Sequence, residues 1–451
     1  MNLKKHVFYL GIGGIGMSAL ARYHRACGWK VAGYDKTPSA ITDQLEKEGI
    51  EVVFNDSKDV LSNGFEGKST LVIYTPAVPV QNELFQWYVA NGNKMIKRAQ
   101  ALGEITQNAT LLAIGGTHGK TTTSCLVSHL LQSQGISFTA FLGGIASNFG
   151  TNYIQGDPNL VVVEADEFDR SFLHLRPSHA VITSTDADHL DIYGTNASVV
   201  ESFQEFAHLV PEAGKVWLFH EAQGVTGTNV LNYGLAGEAK AKNIRIQNGK
   251  FTFDFEFGKA TWNNLILGIP GFHNVWNATA AMAVLLGANL PITEDQMRAG
   301  LLAFKGVSRR FDLRFENEKF VYIDDYAHHP TEIDALISSV RALYPSKKIT
   351  GIFQPHLFSR TRDFMDGFAR SLAHLDRLIL MKIYPARELP IPGITSSVLL
   401  EKVVLENKML ASAHEITHLI NSTDEIILTI GAGDIDRLVP QIELKLKGEQ
   451  P

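Results

Sequence analysis

Lys120 ends the run Gly115-Gly116-Thr117-His118-Gly119 and is followed by Thr121-Thr122-Thr123. A glycine-rich turn lets backbone N–H groups approach phosphate oxygens, and an adjacent ammonium neutralises β- and γ-phosphates. The hydroxyl directly after that lysine suits Mg2+. Gly116, Thr117, His118, Gly119, Lys120, Thr121 and Thr122 are therefore candidate ATP-phosphate residues. The loop is shorter than G-x-x-x-x-G-K-[ST], because Ile114 stands five before Gly119. Two acidic clusters follow: Glu164-Ala165-Asp166-Glu167 and Asp186-Ala187-Asp188-His189-Leu190-Asp191. Carboxylates at strand ends beside a phosphate loop are natural cation ligands, and His189 with its neighbouring carboxylates would take a second cation. A second glycine cluster, Gly11-Ile12-Gly13-Gly14-Ile15-Gly16, has Asp35 19 residues beyond it. There the glycines admit a pyrophosphate and Asp35 accepts from a ribose hydroxyl. That fingerprint fits NAD and a UDP-sugar equally. In Gly271-Phe272-His273-Asn274-Val275-Trp276-Asn277, a carboxamide suits the edge of adenine. Arg309-Arg310, Asp324-Asp325-Tyr326-Ala327-His328-His329 and Gln354-Pro355-His356-Leu357-Phe358-Ser359-Arg360 collect cationic groups for phosphate or carboxylate.

These residues need rigid elements beneath them. Val7–Leu10, Lys30–Tyr34 and Leu71–Tyr74 read as strands, with a helix over 15–27. Leu111–Ile114, Leu160–Val163 and Ala180–Ile182 read as buried parallel strands, with a helix from about 120 to 134. Residues 215–268 alternate Val, Phe and Thr around turns such as Asn248-Gly249, which predicts a small antiparallel sheet. A helix over 275–287 follows. Phe320–Ile323, Lys348–Phe353, Arg377–Met381 and Glu425–Ile430 form a third set of strands, each ending in polar or glycine-rich residues. In open α/β sheets ligands bind beyond the carboxyl ends of the strands. The chain thus reads as α/β in three domains, 1–105, 106–308 and 309–451. The first is Rossmann-like, the central one is a P-loop domain with a parallel sheet plus the small antiparallel one, and the last is an open α/β sheet.

The 451 residues suit roughly three domains at about 150 residues each. A net charge of −6 argues against a general nucleic-acid or membrane-surface binder. The two cysteines, Cys27 and Cys125, exclude a disulfide framework and read as small core residues. Glycines end the N-terminal apolar run before it can act as a signal peptide, and no stretch is long enough to span a membrane. The expectation is a cytoplasmic protein, monomeric or weakly homodimeric, with neither nucleic acid nor membrane as partner.

GTHGKTTT, EADE, DADHLD, GFHNVWN, RRF, DDYAHHPTE and GAGDI, in that order, resemble the motifs of the Mur ligases. The resemblance implies an N-terminal UDP-substrate domain, a central ATPase domain and a C-terminal Rossmann-like domain that brings an amino acid and closes over ATP. It implies a peptidoglycan precursor enzyme that joins L-alanine to the carboxylate of UDP-N-acetylmuramate through an acyl phosphate, using ATP and Mg2+. On this sequence, Lys120 holds phosphate, Thr121 and Glu164 bind the first Mg2+ and His189 joins the second. Asn277 meets adenine, Arg310 meets the γ-phosphate, and Asp325 and His328 sit near the joined substrates. Gly11, Gly13, Gly14, Ile15, Gly16, Asp35, Thr75 and Ala77 line the UDP-substrate site, and Tyr326 and Arg360 the amino-acid site. Two departures stand out. No lysine lies between Lys120 and Lys215, so the carbamylated lysine of several cousins is absent, which fits the alanine-adding branch. Leu357 stands where the family usually has arginine, leaving the alanine carboxylate to Arg360.

Three alternatives compete, one of them a non-catalytic nucleotide-binding regulator. A recycling ligase that adds a preformed tripeptide shares GTHGKTTT and the DD-[YF]-AHHP stretch, and the Gln354 to Arg362 run favours the free amino acid. An NAD(P)-dependent oxidoreductase accounts for the first glycine cluster but leaves Lys120, Glu164 and His189 without a role.

Overall fold

The computed structural model describes residues 5–62, 64–188, 190–386 and 388–448. Its strands form three sheets of five, ten and six strands. The first sheet is parallel throughout, in the order Glu51–Val53, Lys30–Tyr34, His6–Leu10, Leu71–Tyr74, Met95–Lys97. Strand order reverses beside His6–Leu10. The Gly11–Gly16 turn therefore lies at the switch point of strand order, where open sheets of this kind bind ligands.

The second sheet centres on Thr110–Gly115, flanked in parallel by Leu160–Glu164 and His179–Ile182. All three carry short Leu/Val/Ile runs buried on both faces, the signature of a parallel strand covered by helices. The helices Lys120–Ser133 and Asn196–His208 supply part of that apolar cover. One edge turns antiparallel, where Thr139–Ala146 meets Thr151–Ile154.

The region 215–268 departs from the sequence expectation. Val216–Phe219 runs parallel to His179–Ile182, and Val230–Gly234 runs parallel to Val216–Phe219. Both extend the main sheet instead of starting a separate antiparallel one. The cause is local: Val216 and Trp217 are fully buried, as befits an interior parallel strand. Only the segments Ala239–Gln247, Lys250–Phe257 and Ala260–Ile266 are joined by two-residue turns. At the first, Asn248 and Gly249 both take positive φ, 50° and 71°, as a type I′ hairpin requires.

The third sheet runs Asp312–Glu316, Val321–Asp325, Ile426–Ile430, Ile349–Phe353, Arg377–Leu380, Lys408–Leu410, parallel except at its first strand. Its four inner strands are almost wholly buried.

The chain packs as two compact units. One comprises Met1–Lys242, Phe255–Asn263 and Trp276–Phe304; the other comprises Asn243–Asp254, Asn264–Val275 and Lys305–Pro451. Inside the first unit, the helix Ile15–Ala26 lies on the edge strands Thr139–Ala146 and Thr151–Ile154. The buried Asn152 fastens that packing. Its amide donates to Ile15 O at 2.6 Å and to Ser18 Oγ at 3.0 Å, and its carbonyl accepts from Arg22. Cys125 is buried as expected, but Cys27 is exposed. It is the C-cap of the helix Ile15–Ala26, where the chain turns outward before Gly28. Among the described residues, no helix is long and apolar enough to cross a membrane.

Candidate active site

The Gly115–Lys120 turn leaves its strand and enters the helix Lys120–Ser133. Gly116 has φ +128°, and a Cβ there would stand 2.1 Å from Thr183 Oγ1. Gly119, at φ +80°, is the helix N-cap, and a Cβ there would stand 2.7 Å from Asn277 Oδ1. Only glycine meets both demands. Lys120 folds back over the loop. Its Nζ donates to Gly116 O at 2.6 Å, to Thr117 O at 3.2 Å and to Glu167 Oε1 at 3.0 Å. Burial opposes the Lys120 charge, but Glu167, Glu164 and Asp166 outweigh it and raise its pKa. Burial in turn pushes the Glu167 carboxyl up to about 7, against the pull of Lys120.

The turn after His179–Ile182 braces the loop from the side. Thr117 Oγ1 meets Ser184 Oγ at 2.6 Å, Ser184 Oγ accepts from His118 N at 2.9 Å, and Asp186 N donates to Thr117 Oγ1 at 3.1 Å. Asn277 Oδ1 accepts from Thr123 Oγ1 at 3.1 Å, so this carboxamide sits at the base of the loop. Glu164 ends its strand opposite the loop and accepts from Gly143 N at 3.1 Å. A Cβ on Gly143 would come within 2.1 Å of that carboxylate. Thr121 and Glu164 are hard oxygen donors, which fits Mg2+ held largely by phosphate and water. Among the described residues, no group of three or more His, Cys, Asp or Glu side chains stands ready around a metal. His189 lies outside the described residues.

At the first sheet, Gly11 N and Ile12 N both donate to Tyr34 O. Asp35 Oδ2 accepts from Gly13 N at 2.8 Å, and a Cβ on Gly13 would stand at 2.8 Å from it. A Cβ on Gly11 would stand 2.5 Å from Thr75 Cγ2, so Thr75 lines the same turn. Ala77 N lies 3.5 Å from Thr75 Oγ1. The helix Ile15–Ala26 begins at Gly14 without a side-chain cap or an acidic residue in its first turn. Its leading N–H groups suit an anion.

In the second unit the candidate residues gather at the carboxyl end of Val321–Asp325. Asp325 is buried. Its Oδ2 accepts from Phe311 N and its Oδ1 from Ala327 N, each at 2.7 Å. Burial raises its carboxyl to about 7 despite those bonds. The Tyr326 ring lies beneath the guanidinium groups of Arg309 and Arg310, at 5.1 and 5.3 Å. Arg310 stands 3.6 Å from Glu332, which also accepts from His328 N at 2.9 Å. Arg310, Tyr326, Asp325 and His328 are thus brought together. Arg360 is buried on the short helix Phe358–Asp363. The preceding residue, Leu357, takes φ +70° and ψ 139°, a region that non-glycine residues rarely occupy.

Sequence reasoning missed three residues. The sequence presents Glu167 only as part of an acidic cluster and Glu332 only within DDYAHHPTE, and nothing in its motifs singles out Arg98. Arg98 begins a helix directly after the strand Met95–Lys97. A cation at the carboxyl end of a parallel strand was the available signal.

Three family models match. They are described as Mur ligase family, catalytic domain, over residues 6–110; Mur ligase middle domain, over 114–285; and Mur ligase, glutamate ligase domain, over 309–435. A UDP-N-acetylmuramate–L-alanine ligase of Flavobacterium johnsoniae is 45% identical over 447 residues, 99% of both chains. One of Flavobacterium psychrophilum is 47% identical over 452 residues, again 99% of both. The crystal structure of UDP-N-acetylmuramate-alanine ligase from Thermotoga maritima is similar at TM-score 0.85 and 27% identity, covering 98% of this chain and 99% of that one. A murein peptide ligase from Psychrobacter arcticus shares the fold at TM-score 0.70 and 22% identity, covering 97% and 98%.

Proposed function

The chain belongs to the Mur ligase family, and we propose that it joins L-alanine to the carboxylate of UDP-N-acetylmuramate in peptidoglycan precursor synthesis, converting ATP to ADP and phosphate. The strongest support is identity of 45–47% over 99% of the chain with relatives of that name. ATP and Mg2+ are the cofactors this reading needs. Its site is cytoplasmic, where ATP and the UDP-sugar are made. The division of labour follows the boundaries 1–105, 106–308 and 309–451.

In the first step a carboxylate oxygen of the sugar attacks the γ-phosphorus and ADP leaves. In the second the alanine amine attacks the acyl carbon, a tetrahedral intermediate forms, and inorganic phosphate leaves. Such transfer needs positioning and charge neutralisation more than a protein nucleophile. The Gly11–Gly16 turn, Asp35, Thr75 and Ala77 hold the UDP-sugar. The Gly116–Thr122 loop holds the ATP phosphates, with Lys120 neutralising charge and Asn277 placing the nucleotide. Thr121, Glu164 and His189 would hold Mg2+, which would supply further charge neutralisation. Arg310 takes the transferred phosphoryl oxygens, kept in orientation by Glu332 and Tyr326. Arg360 and Tyr326 bind alanine. Asp325, its carboxyl raised to about 7 by burial, is matched to receiving the proton that the alanine ammonium must lose, with His328 the second candidate acceptor.

The test is phosphate release with ATP and UDP-N-acetylmuramate, screened across L-alanine, glycine, L-serine and the tripeptide. Release that needs both nucleotides and is fastest with L-alanine is expected. A preference for the tripeptide, or release independent of the UDP-sugar, would overturn the assignment.

A further inference from the structure

We propose that Arg98 is a positioning residue that ties the nucleotide-sugar loop to the phosphate-transfer loop, so that the two reacting anions are held in one register. The proposal rests on the ligase reading above. Arg98 begins the helix Arg98–Thr106 after the last strand of the first sheet. Its guanidinium lies over the final glycine of the first loop. A Cβ on Gly16 would stand 2.9 Å from Nη1 and 3.2 Å from Cδ, so the missing side chain of Gly16 is the seat for Arg98. The other terminal nitrogen, Nη2, donates to Asp166 Oδ2 at 2.9 Å. Asp166 lies between Glu164, the candidate Mg2+ ligand, and Glu167, the partner of Lys120.

A second link runs alongside. Lys97 Nζ meets Asp169 Oδ2 at 3.0 Å. Asp169 and its neighbour Arg170 are consecutive non-glycine residues at φ 53° and 51°, a strained pair that persists only where its surroundings over-determine it. The helix Arg98–Thr106 packs on this segment, and a Cβ on Gly103 would stand 2.5 Å from His174 O. The backbone that carries Glu164, Asp166 and Glu167 is thereby clamped to the element that carries Arg98.

This arrangement has a chemical purpose. A sugar carboxylate and a γ-phosphate, both negative, must reach near-attack distance, and an error of about 1 Å costs roughly 10² in rate. A planar guanidinium lays one edge over Gly16 while its Nη2 donates to Asp166. A lysine ammonium is a single point charge and cannot span them in the same way. An ordinary surface ion pair would contribute little to stability and nothing to coupling between ligands.

The experiment uses Arg98→Gln, Arg98→Lys, Asp166→Asn and the Arg98→Gln/Asp166→Asn double variant in the full chain. Steady-state rates are measured, together with ADP affinity with and without saturating UDP. UDP and ADP alone report the link even if the sugar or amino acid has been misassigned, whereas phosphate release by the parent enzyme tests that assignment separately. In the parent, UDP should tighten ADP binding by at least about 5-fold, the low end of ordinary coupling. Each single variant, Arg98→Lys included, should bring that factor close to one. Each should leave either nucleotide's own affinity within about 3-fold and lower kcat by about 10². The double variant should be no worse than either single one, because both remove the same link. Parental kcat in Arg98→Gln, coupling that survives in the variants, absence of coupling in the parent, or losses that multiply in the double variant would each overturn the proposal.

Discussion

At the residue scale the governing feature is the buried pair of Lys120 and Glu167, 2.9 Å apart at closest. Breaking a buried pair by removing one partner typically costs about 3–5 kcal/mol, because the other charge is left uncompensated. Lys120→Ala should therefore lower the denaturation midpoint as well as reduce turnover by about 10²–10³. Adding Glu167→Gln should recover most of the midpoint and none of the rate, which separates stability from catalysis. Asp325 makes a different prediction. Its folded pKa, about 7, lies above the ordinary 3.8 because of burial. Between those values the folded state keeps a proton that the unfolded chain has released, so stability falls as pH rises through the window. Asp325→Asn should flatten that slope in denaturant titrations run at about pH 4 and about pH 8. An unchanged slope would remove Asp325 as its source. Lys120 was legible from its turn, and so was the acidic cluster facing it. Which of Glu164, Asp166 and Glu167 takes the lysine is decided by strand ends that only the folded chain brings together.

At the element scale, glycines let side chains from neighbouring strands close on the loops. Gly143 lies on Thr139–Ala146, a strand absent from the sequence reading because its small residues give no apolar run. Gly143→Ala would push the Glu164 carboxylate aside. It should raise the Mg2+ concentration needed for half-maximal activity several-fold and leave KM for the UDP-sugar unchanged. Unaltered Mg2+ dependence would detach Glu164 from the metal. The interior parallel strands are readable as short buried Val/Ile/Leu runs, since both faces are covered. Val216–Phe219 and Val230–Gly234 were mistaken for antiparallel strands because short apolar runs look alike in either setting. Cys27 reads as core from its apolar neighbours, yet as the C-cap of the helix Ile15–Ala26 it is exposed.

At the scale of the whole molecule, two glycine-rich turns sit at the carboxyl ends of two sheets within one compact unit. Asp35→Ala should raise KM for UDP-N-acetylmuramate about tenfold, because it removes one charge-assisted hydrogen bond to the ribose, while KM for ATP stays within about twofold. Equal effects on both would contradict separate sites. Chemistry also sets an order: alanine has no electrophile to attack until the carboxylate is phosphorylated, so initial-rate patterns should place it last. That order depends on the acyl phosphate. The most direct measurement labels the carboxylate of UDP-N-acetylmuramate with 18O and follows the label during turnover with ATP and L-alanine. Attack of that carboxylate on the γ-phosphorus requires one labelled oxygen to appear in the released inorganic phosphate for each amide formed. Unlabelled phosphate accompanying amide formation would contradict the mechanism at its first step.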